Sequence, residues 1–289
     1  MPATTGIRVA PEIVPLIPES TDTWRLLVIA ERFQPQHRDA FFAYCRYFTD
    51  FLRTQAPFTD SDIARNIQVY ACFTPSPPGG LFRTEEKSTR RIYGEPDRVR
   101  KYLKTHRDHE VLRRRQNDLV LVLVNMAQRG GAGEQMNDNI AWTTPVPFFD
   151  DNRQMLEDWP QVALHELGHA FNLDDEYEAP GVDRTNAPVC ANICRDADID
   201  DAPWSALFDS PDIAPLRSAD RVLAGGNPDY PTPSELETFA PVKVGKFQGA
   251  LYSSTEFWRS ALQCRMRSTR DPFCAVCRSV IREAILTNP

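Results

Sequence analysis

Apolar residues in the first 180 positions of this 289-residue chain recur with two periods, and segments of the two kinds alternate. Trp24 to Ala30 (WRLLVIA) reads as a first strand. From Gln36 to Thr54, Phe41, Tyr44, Cys45, Phe48 and Leu52 recur at spacings of three and four, the stripe of an amphipathic helix. Asn66 to Phe73 alternates as a second strand and runs into PSPPGG, which stops it. A second helix is expected from Pro96 to Arg115, with Val99, Tyr102 and Leu103 on its apolar side. Asp118 to Met126 is the most hydrophobic strand, suited to a central position buried on both faces. A glycine-bearing turn, QRGGAGEQMNDN, leads to IAWTT, a candidate edge strand. Gly130, Gly131 and Gly133 do not form a GxGxxG phosphate cradle and read as turn glycines. The alternation predicts an α/β (α+β) layer arrangement around a mixed twisted sheet.

Beyond residue 180 prolines and aspartates dominate, and periodicity returns only over Thr255 to Ala261 and Cys277 to Leu286. The length fits one domain with long loops. The expected organisation is an extended, proline-rich segment 1–20 followed by a single domain 21–289. Its upper part spans about 21–178 and its loop-rich lower part about 179–289. No apolar run approaches the ~20 residues that cross a bilayer, so no membrane partner is expected. The first twenty residues lack a basic start, an apolar core and a cleavage site. The expectation is therefore a cytoplasmic chain as written, or a secreted one if a leader precedes it.

The formal charge of -7 conceals an asymmetry. From Arg83 to Arg115 twelve basic residues meet six acidic ones, interleaved and without aromatic spacing, which reads as a solvated face rather than a nucleic-acid surface. From Glu134 to Asp220 nineteen acidic residues face four basic ones, a field that favours cations.

That acidic stretch contains PQVALHELGHAFN, Pro160 to Asn172, punctuated as a helix by proline near its start and asparagine at its end. His165 and His169 lie just over one turn apart on one face and can share one metal ion. Glu166 is then placed to take a proton from a metal-activated water, so the run predicts a catalytic zinc ion with Glu166 as general base. The continuation AFNLDDEY puts Asn172 three and Asp175 six residues after His169. This spacing resembles the metzincin pattern HExxHxxGxxH or HExxHxxGxxD, in which a left-handed residue turns the chain so that the sixth position reaches the metal. Asparagine tolerates that conformation. Asp175 leads as third ligand, with Asp174 and Glu176 as adjacent alternatives.

HELGHAFNLDDEY resembles the zinc segment of the IgA-protease-type metallopeptidases, which typically reads HEFGHxxxxLxDEY. LLVIAERF resembles that family's first strand, and LVLVLVNMAQRGGAG its strand followed by a Gly-Gly-x-Gly turn. GALYSSTEFWRSALQCRMRS followed by FCAVC resembles a family segment ending CxMR and FCxxC. The resemblance implies a zincin/metzincin-like fold, zinc-dependent endopeptidase activity on protein or peptide substrates, and a Met-turn at Met266 beneath the metal ligands. The segment between His169 and DEY is slightly shorter than the family's, which leaves the choice among Asp174, Asp175 and Glu176 open.

Tyr252 and Arg259, just before CRMRS, are candidates to contact substrate or transition state, with structural hydrogen bonding as an equal alternative for both. Tyr177 is expected to anchor the loop after the ligands. His106 and His109 fall at i,i+3 among arginines and read as surface. The cysteines number seven: Cys45 and Cys72 read as buried thiols, Cys190 and Cys194 as a local pair, and Cys264, Cys274 and Cys277 as a disulfide bracing the turn at Met266 in an extracellular setting, or as part of a second zinc site. Asp196 to Asp201 (DADIDD) is a candidate Ca2+ site without the glycine or distal glutamate of an EF-hand. Two other function classes compete: a catalytically silent peptidase-fold module that binds protein in its cleft, and a structural zinc protein. Two histidines, a carboxylate and space for water favour the enzyme.

Overall fold

The computed structural model describes residues 9–17, 24–77, 79–88, 91–113, 115, 117–133, 139–149, 155–179, 184, 186–208 and 244–287. In the first half the elements are β1 (Glu12–Pro15), β2 (Trp24–Glu31), α1 (Arg38–Leu52), α2 (Ser61–Ala64), β3 (Ile67–Phe73), β4 (Glu85–Ser88), β5 (Arg91–Tyr93), α3 (Pro96–Thr105), β6 (Leu119–Val124), β7 (Gly131–Gly133) and β8 (Ile140–Thr143). They are followed by β9 (Phe148–Phe149), β10 (Met155–Glu157), α4 (Trp159–Ala170), β11 (Ile193–Arg195), β12 (Phe247–Ala250), β13 (Ser253–Arg259) and α5 (Ala275–Leu286).

Among the described residues eight strands form one mixed sheet in the order β1-β3-β2-β6-β8-β7-β5-β4. Its centre, β3-β2-β6-β8, is parallel. The pairs β1–β3, β7–β8 and β4–β5 are antiparallel. The parallel strands are buried along their length and mostly hydrophobic because both faces are covered. Leu26, Val28 and Ala30 of β2 join Leu121 and Leu123 of β6 on one face, packed with Phe41, Cys45 and Phe48 of α1 and Ala163, Leu164 and Leu167 of α4. Leu27 and Ile29 join Val120, Val122 and Val124 on the other, covered by Val99, Tyr102 and Leu103 of α3. The α1–α4 side also carries Met266 and the apolar face of α5, so the C-terminal part of the chain closes over α4. A smaller sheet, β11-β13-β12, lies in that part. Among the described residues no helix is long and apolar enough to cross a membrane.

Two expectations are corrected. The strand over IAWTT is not an edge: β8 lies between β6 and β7, and all four residues are buried. Short length and a preceding turn resemble an edge signature, but the antiparallel return of β7 extends the sheet past it. The helix expected from Pro96 to Arg115 stops at Thr105, and a 3-10 turn, Glu110–Leu112, follows. The apolar stripe ends at Leu103, and the next buried apolar side chain, Leu112, is reached only by breaking the helix. Arg25 meets the released backbone: its guanidinium donates to the Arg113 carbonyl (2.8 Å) and to both oxygens of buried Asp118 (2.8 and 2.5 Å). His109 Nδ1 accepts from the Val111 amide and His106 packs on Tyr102, which leaves both away from the other histidines.

The Arg25–Asp118 pair is nearly inaccessible to solvent. Asp118→Ala is expected to destabilise the chain by about 3–5 kcal/mol, since it strands a buried guanidinium. Asp97→Ala, which removes an exposed partner of Arg100, should leave a urea unfolding midpoint unchanged. Equal midpoints for both variants would refute this account.

Candidate metal centre

Helix α4 begins at a capping box: Asp158 accepts from the Trp159 amide (2.8 Å), and the Gln161 side chain accepts from the Asp158 amide (2.8 Å). Trp159 then packs among Tyr44 and Phe48 of α1, which locks the rotation of α4 about its axis. The helix ends in a Schellman motif. The Leu173 amide donates to the Gly168 carbonyl (3.1 Å) and the Asn172 amide to the His169 carbonyl (2.8 Å). Asn172 takes the left-handed conformation with φ 64°, as its position in the sequence led us to expect.

That reversal sends the next three residues back along the helix, and three consecutive acids diverge. Asp174 accepts from the Cys190 amide (2.6 Å), while its backbone amide and carbonyl both pair with the side chain of Asn192 (2.9 Å each). Glu176 points into a cluster of cysteines, its Oε1 3.2 Å from Cys277 Sγ. Burial, reinforced by the neighbouring Cys274, pushes the Glu176 carboxyl up to about 8. Asp175 alone turns to the histidines: its Oδ1 lies 3.2 Å from Nε2 of His165 and 3.2 Å from Nε2 of His169.

The ring orientations are set from behind. His165 Nδ1 lies 2.8 Å from the Arg265 carbonyl and His169 Nδ1 2.8 Å from the Leu173 carbonyl. A carbonyl can only accept, so both Nδ1 atoms carry a proton, which turns both Nε2 atoms toward Asp175 as the positions that would give up a proton to bind a metal. Asp175 Oδ1 is buried and accepts no well-aligned hydrogen bond. Burial would raise the Asp175 carboxyl, but the two imidazoles outweigh it and hold it well below the usual carboxylate range. For His169 burial works against the charged form, and the facing Asp175 and Glu166 charges overcome it, raising the ring to about 9. Two imidazole nitrogens and a buried carboxylate oxygen converging on one point fit a divalent metal such as zinc, which would displace the Nε2 protons on binding.

The other oxygen of Asp175 accepts from the Tyr252 hydroxyl (2.5 Å), which in turn accepts from the Tyr177 hydroxyl (3.2 Å). Burial and then the Asp175 charge raise both phenols, so both remain protonated donors. Tyr252 sits at the tip of the β12–β13 hairpin, where Leu251 (φ 48°) and Tyr252 (φ 70°) are both left-handed. Non-glycine residues resist that geometry. Three backbone hydrogen bonds to residues 175–179 hold it: Leu251 N to Asp175 O (2.9 Å), Tyr252 N to Tyr177 O (3.0 Å) and Ala179 N to Tyr252 O (3.2 Å).

Glu166 is half-buried on the next position of α4, with a carboxylate oxygen within 4.8 Å of the ligand nitrogens of both histidines. Strand β7 lies directly on this part of the helix. A Cβ at Gly131 would stand 2.7 Å from the Glu166 side chain, and one at Gly133 would stand 2.5 Å from both the Glu166 carbonyl and His169 Cβ. Neither has a positive φ. These glycines therefore serve close approach, not the turn expected of them. On the opposite side, a Cβ at Gly168 would stand 2.4 Å from Met266 Sδ, so Met266 packs against the back of α4 below the histidines.

Of the two readings of Arg259, the structure shows the structural hydrogen bonding, with the residue fully buried. Its guanidinium donates to the carbonyls of Gln248, Gly249 and Ala261 and lies 3.7 Å from Glu178, so it braces the hairpin. The seven cysteines are all free and buried, which overturns both expected disulfides. Asp196 to Asp201 forms an exposed 3-10 turn whose carboxylates do not converge: Asp196 accepts from Trp258 and Asp200 faces Lys246. Sequence reasoning missed Asn192, whose side chain holds both Asp174 and Glu176. An asparagine in a loop carries no signal of such a role.

The sequence model of the family described as IgA Peptidase M64 matches residues 15–218, most of the chain, including His165, Glu166, His169 and Asp175. No curated protein matches.

Gly133→Ala is expected to cost about 1–3 kcal/mol, because the new methyl meets backbone and a Cβ rather than a flexible side-chain end. Denaturant unfolding of the variant checks this; wild-type stability would show that β7 can lift off α4 freely.

Proposed function

The chain belongs to the IgA peptidase M64 family, and on that premise we propose that it is a zinc-dependent endopeptidase hydrolysing protein or peptide substrates. Family membership supports a hydrolase acting on peptide bonds. The zinc, the named residues and the endo mode of cleavage are our reading. The observation that carries it is the convergence of His165 Nε2, His169 Nε2 and the unsatisfied Asp175 Oδ1, with Glu166 alongside.

In this reading His165, His169 and Asp175 hold the ion. Zinc, when bound, supplies Lewis acidity, polarising the scissile carbonyl and acidifying a water to a pKa of about 7. Glu166 takes the proton of the attacking water and delivers it to the leaving amine as the C–N bond breaks, so one carboxylate serves as base and then acid. Its exposure matters here, because the group must reach both water and substrate; the three ligands are buried and need reach neither. Tyr252 fixes the Asp175 carboxylate so that Oδ1 faces the ion. Met266 forms the apolar floor of a Met-turn, against which α4 can rest without a competing polar ligand.

Glu166→Gln is expected to lower peptide hydrolysis by about 10²–10⁴-fold while zinc content stays at the wild-type level. A variant that cuts as fast as the parent would disprove the assigned base. Tyr252→Phe should weaken zinc binding or activity about 10–100-fold, as loss of a hydrogen bond to a ligand does elsewhere. Competition with a chromogenic chelator reads this directly, and an unchanged affinity together with unchanged turnover would remove Tyr252 from the site. Digestion of a mixed peptide library, read by mass spectrometry with and without chelator, gives the cleavage preference.

A further inference from the structure

Beneath the histidine site a second group of metal-ligating side chains is gathered, and the catalytic reading makes no use of it. Cys264, Cys274, Cys277 and Glu176 are all buried, and each offers a ligand atom within 4.8 Å of the others. They come from three separate parts of the chain: the turn before Met266, the N-terminus of α5 and the segment after the helix reversal. We propose that these four residues bind a second, structural zinc ion that clamps the turn at Met266 to the segment carrying Asp175.

The distances fit. Cys264 Sγ and Cys277 Sγ are 3.6 Å apart, whereas a disulfide requires about 2.05 Å. Two thiolates on a tetrahedral zinc, each about 2.3 Å from the ion, stand roughly 3.8 Å apart. Glu176 Oε1 is 3.2 Å from Cys277 Sγ and 4.0 Å from Cys274 Sγ, the spacing of mixed oxygen and sulfur ligands around the same ion. A disulfide between any two of these cysteines would leave the third thiol packed against a buried carboxylate. It would also leave unanswered Glu176 Oε2, which is buried and without a hydrogen-bond partner. A cation answers both.

Backbone amides are directed at two of the sulfurs. Cys274 is the N-cap of α5, and its sulfur accepts from the Cys277 amide (3.4 Å); the Cys274 amide donates to Cys264 Sγ (3.4 Å). Amides directed at sulfur and the positive end of a helix both stabilise sulfur charge. Each thiol that ligates releases its proton to solvent as the metal binds. With four protein ligands the site is closed, the mark of a structural ion, whereas the three-ligand site above it leaves a position open.

The two sites share a backbone. Asp175 faces the histidines and Glu176, the next residue, faces the cysteines. The Glu176 amide donates to the Met266 carbonyl (2.8 Å), and the carbonyl of Arg265, next to Cys264, meets His165 Nδ1. The second ion therefore acts as a positioning device for the first.

The test is cobalt substitution of the full chain prepared under reducing conditions. Thiolate ligation of cobalt gives an intense near-ultraviolet charge-transfer band that imidazole and carboxylate ligands do not. Two ions per chain with that band are expected. The double variant His165→Ala/His169→Ala should retain one ion and the full band, which needs no cysteine substitution and so is independent of any folding defect. Cys274→Ser/Cys277→Ser should lose the band. A wild-type chain that binds cobalt only at the histidines, with no near-ultraviolet band, overturns the proposal. So does a peptide map of the protein as isolated that links two of Cys264, Cys274 and Cys277 by a disulfide. A chain that keeps the thiolate band but binds no ion at the histidines supports this inference and sinks the catalytic reading instead.

Discussion

The reversal at Asn172 is the constraint on which the rest of the site depends. One residue with φ 64° ends α4, and the Schellman hydrogen bonds that accompany it fix the path of the following segment against the helix it has just left. Leu173 then presents its carbonyl to His169, and the next three side chains leave in three directions. A helix continued by one more turn would carry Asp175 away from the histidines. The angle at which the chain leaves α4 thus decides which of three neighbouring carboxylates meets them.

Two other parts of the chain hold this arrangement from outside. The hairpin β12–β13 contributes Tyr252, and it does so with two non-glycine residues in left-handed conformations. Such strain persists where surrounding contacts over-determine it, and here the backbone hydrogen bonds to Asp175, Tyr177 and Ala179 supply those contacts. Strand β7 approaches from the sheet, near enough to α4 that a Cβ at 133 would meet the helix backbone and one at 131 the Glu166 side chain. Glu166 lies between these surfaces, bordered by β7 yet half-exposed, while the ligands beneath are dry. The burial that shields Asp175 from water is what makes an unpaired oxygen there costly, and a bound cation would relieve that cost.

Much of this was legible beforehand where the signal is local. The first strands and α1 follow from periodicity, because each needs only its own apolar face. The ends of α4 follow from proline, asparagine and a helix-long stripe. The length of α3, the interior place of β8, the role of the β7 glycines and the burial of Arg259 were not legible. Each depends on a partner outside the element itself: the sheet face that buries Leu112 for α3, β7 for β8, α4 for Gly133, and the carbonyls of the hairpin for Arg259. Nor was the grouping of the cysteines legible, since their spacing says nothing of what else lies opposite, and around Cys277 stand Cys264, Cys274 and Glu176 together.

By itself the sequence determined the alternation of strands and helices, the shared face of His165 and His169, the place of Glu166 beside them and the left-handed break at Asn172. These are properties of one helix and its ends, set by a period of 3.6 residues and by the backbone preference of asparagine. Only the tertiary structure shows which of Asp174, Asp175 and Glu176 faces the two histidines. They are chemically near-equivalent and adjacent, so no local rule separates them. The distinction comes from what each one meets: the Cys190 amide and Asn192, two imidazoles and Tyr252, or three thiols. Those partners lie up to about a hundred positions away, and packing alone brings them to one place.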